Sequence, residues 1–146
     1  MDKEKKLFVH FLKERGLKLT RERTAILKKA FSCHGHFDPE SLYLEIKQKG
    51  LKASRASVYR TINLLCECGL VEKVMQTGHG AFYEITMGNS HHDHMLCIEC
   101  GQIIEFFSGD LESLQDELCT KQGFQGVSHS LEIRGYCRKC QKKKKR

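Results

Sequence analysis

Residues 91–100 read HHDHMLCIEC: three histidines, an aspartate and two cysteines within ten positions. Cys97 and Cys100 form a CxxC pair, and Cys137 and Cys140 form a second. Each pair offers two thiolates from one tight turn, and two pairs complete the closed tetrahedron of a structural Zn²⁺ site. The 36 residues between the pairs exceed the usual zinc-ribbon spacing, so this site would clamp segments distant in sequence. Four thiolates leave no open coordination position, which makes the role structural.

The preceding tetrapeptide requires a separate argument. HHDH leads into Met95, Leu96 and Cys97 and reads as the start of a strand, where successive side chains point to opposite faces. His92 and His94 then share one face, while His91 and Asp93 share the other. One tetrapeptide can feed two metal sites, so the ten-residue stretch supplies three. A catalytic zinc site would keep an open position beside a base, and HExxH and HxE with PCxxC are both absent. A metallohydrolase is therefore the least supported reading. A zinc-stabilised adaptor for a protein partner is a third class.

The elements that must position these residues come from periodicity and caps. Leu7, Phe8, Phe11 and Leu12 make an apolar stripe that ends at Gly16. Thr20 can cap a second helix carrying Ala25, Ile26, Ala30 and Phe31. Asp38, Pro39 and Glu40 give a capping oxygen, a proline at the first helical position and an acid on the dipole, opening a helix through Leu42 and Ile46 to Gly50. A fourth helix runs from Ser54 to Gly69. At about 100° per residue, Val58, Ile62 and Leu65 fall in one narrow arc, and Ala56, Tyr59, Arg60 and Asn63 lie opposite. An aromatic ring, a guanidinium and an amide on an exposed face suit base edges, thymine methyls and phosphates. VEKVMQTGHGAFYEIT then reads as a hairpin, and the order is that of a winged helix-turn-helix.

Charge divides the chain in the same way. Residues 1–84 carry +6, residues 85–141 carry −4, and the terminal KKKKR adds +5. The basic part is the candidate for nucleic acid. No apolar run approaches membrane-spanning length and the N-terminus lacks a signal-peptide pattern, so a cytoplasmic protein with no membrane partner is expected. In that compartment eight cysteines read as ligands and buried thiols, not disulfides. Cys33, Cys66, Cys68 and Cys119 are expected to be buried small hydrophobes, and His10 and His34 have no obvious partners. His79 would sit in the wing tip, solvated or near phosphate.

The order SRASVYRTINLL, a hairpin ending FYEIT, HHDHMLCIECGQIIEF and then HSLEIRGYC resembles the ferric uptake regulator (Fur) family of bacterial metal-sensing repressors over nearly the whole chain. The resemblance implies an α+β chain: an N-terminal winged helix-turn-helix DNA-binding domain over 1–85, a small α/β dimerisation domain with a four-cysteine zinc site over 86–141, and a basic disordered tail over 142–146. It implies structural zinc on Cys97, Cys100, Cys137 and Cys140. A regulatory metal would lie on His36, Glu84, His92, His94 and Glu105, and an additional metal on His91, Asp93, Glu112 and His129. DNA contacts would come from Tyr59 and Arg60, supported by Ser57 and Arg21. The partners implied are an AT-rich palindromic double-stranded operator and a second copy in a homodimer, which could assemble further into a tetramer.

Shared ligation by His36 and Glu84 from one domain and His92 and His94 from the other would couple metal to the spacing of the two recognition helices. Fe²⁺ is the regulatory ion expected, replaceable in vitro by Mn²⁺, Co²⁺ or Zn²⁺, with control of iron-uptake genes as the outcome. Peroxide-sensing relatives typically carry Asp where this chain has Glu84 and Glu105, and zinc sensors often carry Cys in the regulatory site. A peroxide sensor and an Mn²⁺ or Zn²⁺ sensor remain the alternatives.

Overall fold

The chain forms two compact units, 1–89 and 90–146, and the computed structural model describes residues 2–33, 35–78, 80–86 and 91–144. His34 and His79 lie outside the described residues, so the readings made of them find no counterpart here.

The first unit begins with four helices. α1 spans Asp2–Glu14, α2 Arg21–Ala30, α3 Pro39–Gln48 and α4 Arg55–Glu67. Three of them start on side-chain caps: Thr20 Oγ1 accepts from the Arg23 N–H at 3.2 Å, Asp38 Oδ1 from Ser41 at 2.9 Å and Ser54 Oγ from Ser57 at 3.0 Å. Each bond satisfies a donor that the first helical turn leaves orphaned. The chain turns out of α1, α3 and α4 at Gly16, Gly50 and Gly69, all in the left-handed region that an L side chain resists. Val58, Ile62 and Leu65 of α4 are fully buried among Ile26, Leu27, Leu42 and Ile46 of α2 and α3. Burying a side chain of this size contributes about 1.5–3 kcal/mol. In α1 the burial falls on Phe8 and Leu12, one helical turn apart, while Leu7 is rotated about 100° from Phe8 and stays exposed.

The wing follows as an antiparallel hairpin. β1 (Val71–Thr77) pairs with β2 (Gly80–Ile85) from Val71 opposite Ile85 to Thr77 opposite Gly80, with a register irregularity between Lys73 and Met75. Phe37 joins its edge through two backbone bonds, Phe37 N–H to Tyr83 O at 2.9 Å and Tyr83 N–H to Phe37 O at 2.8 Å. The two rings stack at 6.1 Å.

The second unit is a three-stranded sheet with two helices. β3 (Asp93–Cys97) is central, antiparallel to β4 (Ile103–Phe106) and parallel to β5 (Glu132–Gly135), and α5 (Gly109–Lys121) lies between β4 and β5 in sequence. β3 starts at Asp93, two residues later than a strand opening at His91 would require. The basic segment also differs from expectation: α6 spans Arg138–Lys144 and takes in the first three residues assigned to a disordered tail. Its first turns are held by the Gln141 N–H to Cys137 O at 3.0 Å and by Gln141 Nε2 to Tyr136 O at 2.6 Å.

Candidate metal centres and nucleic-acid face

The second unit builds the cysteine cluster from the end of β3 and the start of α6. Gly101 N–H closes the first CxxC turn onto Cys97 O at 2.8 Å, and Ile98 N–H reaches Gly135 O at 2.9 Å, which fastens the two CxxC segments together. All four sulfurs lie within 4.8 Å of one another, and Cys100 Sγ is 3.7 Å from Cys137 Sγ. A tetrahedron with Zn–S bonds of about 2.3 Å has an edge of about 3.8 Å, so the spacing fits zinc. The Cys137 N–H donates to Cys97 Sγ at 3.2 Å. That bond, with the Cys100 N–H, holds the Cys97 thiol down at about 6. Cys137 is lowered by the Cys140 N–H, whereas burial and then the neighbouring sulfurs push Cys140 up to about 12. The cluster shares its protons unequally, and metal loading must displace those that remain.

A second cluster joins three segments of the same unit, the start of β3, the first turn of α5 and the stretch before β5. His91 Nε2 lies 3.3 Å from Glu112 Oε1 and 3.6 Å from Asp93 Oδ1, and His129 Nε2 lies 3.2 Å and 3.9 Å from the same two oxygens. Glu112 sits in the first turn of α5, whose N-terminus is capped by Ser108. Asp93 is only 1% exposed, and neither of its carboxylate oxygens has a hydrogen-bond partner; nor does Glu112 Oε1. A buried carboxylate without a donor is costly. Two imidazoles and two carboxylates around that orphaned charge fit a divalent cation.

The five residues expected to form the regulatory site fall into two half-sets, one in each unit. In the first unit His36 Nε2 is 3.2 Å from Glu84 Oε2, both largely buried. The Phe37–Tyr83 bridge, one residue from each, sets that proximity. In the second unit the His92 and His94 rings are 4.9 Å apart, His92 Nε2 is 3.9 Å from Glu105 Oε2, and Glu105 is the cross-strand partner of His94.

On the opposite flank of α4 from the core, Ala56, Tyr59, Arg60 and Asn63 are exposed. Ser57 is half-buried and its hydroxyl sits 3.1 Å from the Ser54 hydroxyl, so its first task is the helix cap. Arg21 is exposed at the start of α2. His10 is exposed with Glu14 3.4 Å away, a partner the sequence reading did not assign although the i,i+4 spacing announces it. The bridge between Phe37 and Tyr83 was also missed, because a single backbone pair across 46 positions leaves no periodic trace.

Comparison with known proteins places these sites in context. The model of the ferric uptake regulator family matches residues 14–134. The ferric uptake regulation protein of Campylobacter jejuni is 39% identical over 139 residues, covering 94% of this chain and 88% of that one. A structure of the Helicobacter pylori ferric uptake regulator, described as revealing three functional metal binding sites, matches at 33% identity with a TM-score of 0.78, covering 89% of this chain and 86% of that one. A Campylobacter jejuni peroxide stress regulator matches at 30% identity with a TM-score of 0.64, covering 80% of this chain and 99% of that one. The chain belongs to the ferric uptake regulator family, whose members are metal-responsive transcriptional regulators and not enzymes.

Proposed function

We propose that this protein is an Fe²⁺-dependent repressor that acts in the cytoplasm as a homodimer on AT-rich palindromic operators of iron-uptake genes. The observation that supports this most directly is the division of one ligand set between the two units. His36 and Glu84 stand together in the DNA-binding unit, and His92, His94 and Glu105 stand together in the other. Neither half-set is complete alone, so the two would share one ion. The bound ion supplies a divalent charge with room for about six nitrogen and oxygen donors. His36 and Glu84 would thereby restrain the unit that carries α4, and with it the spacing of the paired recognition helices. Tyr59 and Arg60 would read the major groove, with Ser57 and Arg21 in support.

The reading requires linkage. Metal strengthens DNA binding only through its preference for the DNA-competent conformation, and operator DNA must tighten metal binding by the same factor. The test is anaerobic fluorescence anisotropy on an AT-rich palindrome with zinc already in the cysteine site. Fe²⁺ should tighten binding at least tenfold, about 1.4 kcal/mol of coupling. His92→Ala with His94→Ala should remove that gain, and unchanged affinity in the double variant would sink the proposal.

The likeness to a peroxide stress regulator keeps one alternative in view. Both carboxylates of the proposed site are Glu, not the Asp typical of the peroxide-sensing branch. Peroxide added to the Fe²⁺-loaded protein should therefore leave its mass unchanged. Oxygen added to His36, His92 or His94 with loss of DNA binding would transfer the assignment to peroxide sensing.

A further inference from the structure

The DNA-binding unit holds a pocket of about 530 Å³ that takes in none of the candidate metal ligands and, of the residues assigned to DNA, Arg21 alone. Arg21, Thr24, Ala25 and Lys28 follow one another along one side of α2 at helical spacing, and the C-terminal end of α3 closes the pocket opposite them. Its walls are Leu19, Ala25, Ile46 and Leu51. Arg21, Lys28, Lys29 and Lys49 stand around it.

These cations are not equivalent. Lys29 is committed to an ion pair with Glu45. Among the described residues no carboxylate pairs with Arg21, Lys28 or Lys49, so three positive charges face the opening without a partner. The hydroxyls at the rim do not add donors: Thr24 Oγ1 donates to Thr20 O at 3.0 Å and Ser32 Oγ to Lys29 O at 2.8 Å. Recognition of charge therefore falls to Arg21, Lys28 and Lys49. A bare phosphate or a DNA backbone would match those charges and would have no use for an apolar floor. The volume lies within the usual range for small-ligand pockets, about 300–1,000 Å³, and such pockets combine apolar walls with a few polar anchors.

We propose that this pocket binds an organic carboxylate with an apolar body, the acid on Arg21, Lys28 and Lys49 and the apolar part against Leu19, Ala25, Ile46 and Leu51. Arg21 is also one of the residues assigned above to DNA, so occupancy and operator binding exclude one another; that consequence rests on the proposed function, while the pocket does not. It gives the regulator a second input, independent of metal, that releases DNA.

The zinc-loaded full-length protein is titrated with decanoate, kept below its micelle concentration, while backbone and methyl NMR signals are followed. Saturable shifts centred on Ala25 and Leu51 are expected. Binding should weaken at least tenfold in Lys28→Gln/Lys49→Gln and in Ala25→Phe, and equimolar inorganic phosphate should not displace the ligand. Absence of saturable shifts, equal binding by both variants, or displacement by phosphate overturns the proposal. Anisotropy on the operator then separates the two readings. Decanoate binding with no metal-dependent DNA binding defeats the proposed function alone, whereas decanoate binding that leaves operator affinity unchanged defeats the competition.

Discussion

Asp93 concentrates the electrostatic problem of the second unit in one side chain. Its carboxylate is buried without a donor on either oxygen, and His91 and His129 approach it only at 3.6 and 3.9 Å. A divalent cation filling the cluster would offset the cost of that desolvated charge. Asp93→Asn should therefore change sign with loading. In protein stripped of all but the cysteine-bound zinc it should raise unfolding stability by about 1 kcal/mol or more, and in metal-saturated protein it should lower it. Urea unfolding with and without added metal measures both arms, and destabilisation in both would show that the carboxylate is satisfied some other way. The thiols outside the zinc cluster behave differently. Cys33, Cys66 and Cys68 are half-buried, less enclosed than the sequence suggested, yet burial still pushes each thiol up from its ordinary value. Less thiolate is present at neutral pH and alkylation slows, with the difference narrowing as pH rises toward the raised value. Mass spectrometry after iodoacetamide at pH 7 should find these three modified far more slowly than a free model thiol, and as fast as one after denaturation.

At the scale of elements, what could be read from sequence was whatever is local. The caps at Thr20 and Asp38 and the buried arc of Val58, Ile62 and Leu65 follow from residue type and helical period and appear as read, while Ser54, read as the start of α4, proves to be its cap. The pairwise grouping in HHDH was readable as well: His92 and His94 come together, as do His91 and Asp93, although only Asp93 and His94 lie within β3. Non-local pairing was not readable. Nothing in four-residue β4 or β5 marks it as a strand beside β3, and the Phe37 bridge that holds His36 near Glu84 joins residues 46 positions apart. The cap on α3 is testable by itself, since Asp38 both accepts the Ser41 N–H and places a negative charge on the helix N-terminus. Asp38→Ala should cost about 1 kcal/mol of stability, and Asp38→Asn, which keeps the acceptor, distinctly less. Equal losses would assign the whole effect to charge.

Across the molecule the two units solve the burial problem differently. The first has a contiguous apolar core drawn from all four helices and the wing. In the second, Leu96 is the one buried large aliphatic side chain among the described residues, and its buried cluster consists of Cys97, Cys137 and Cys140. Phe107, Leu114, Leu118, Phe124 and Val127 are meanwhile all more than half exposed. A unit this small buries too little surface to be stable by packing alone and needs a metal, a partner surface or both. The cysteine cluster supplies the first, and a second copy of the same face fits the second, as the dimer of the proposed function requires. Sedimentation should then find a dimer at micromolar concentration in zinc-loaded protein even without the regulatory metal. Leu114→Glu/Leu118→Glu should shift it toward monomer while leaving zinc bound to the four cysteines. Such a monomer still carries an intact α4, so it should keep weak, salt-sensitive DNA binding and lose the preference for a palindrome, because only a two-fold pair of recognition helices can read two half-sites at once. If the charged variant stays dimeric, α5 is not the joining face; if the wild type is monomeric at every concentration, the spacing mechanism has no second helix to act on.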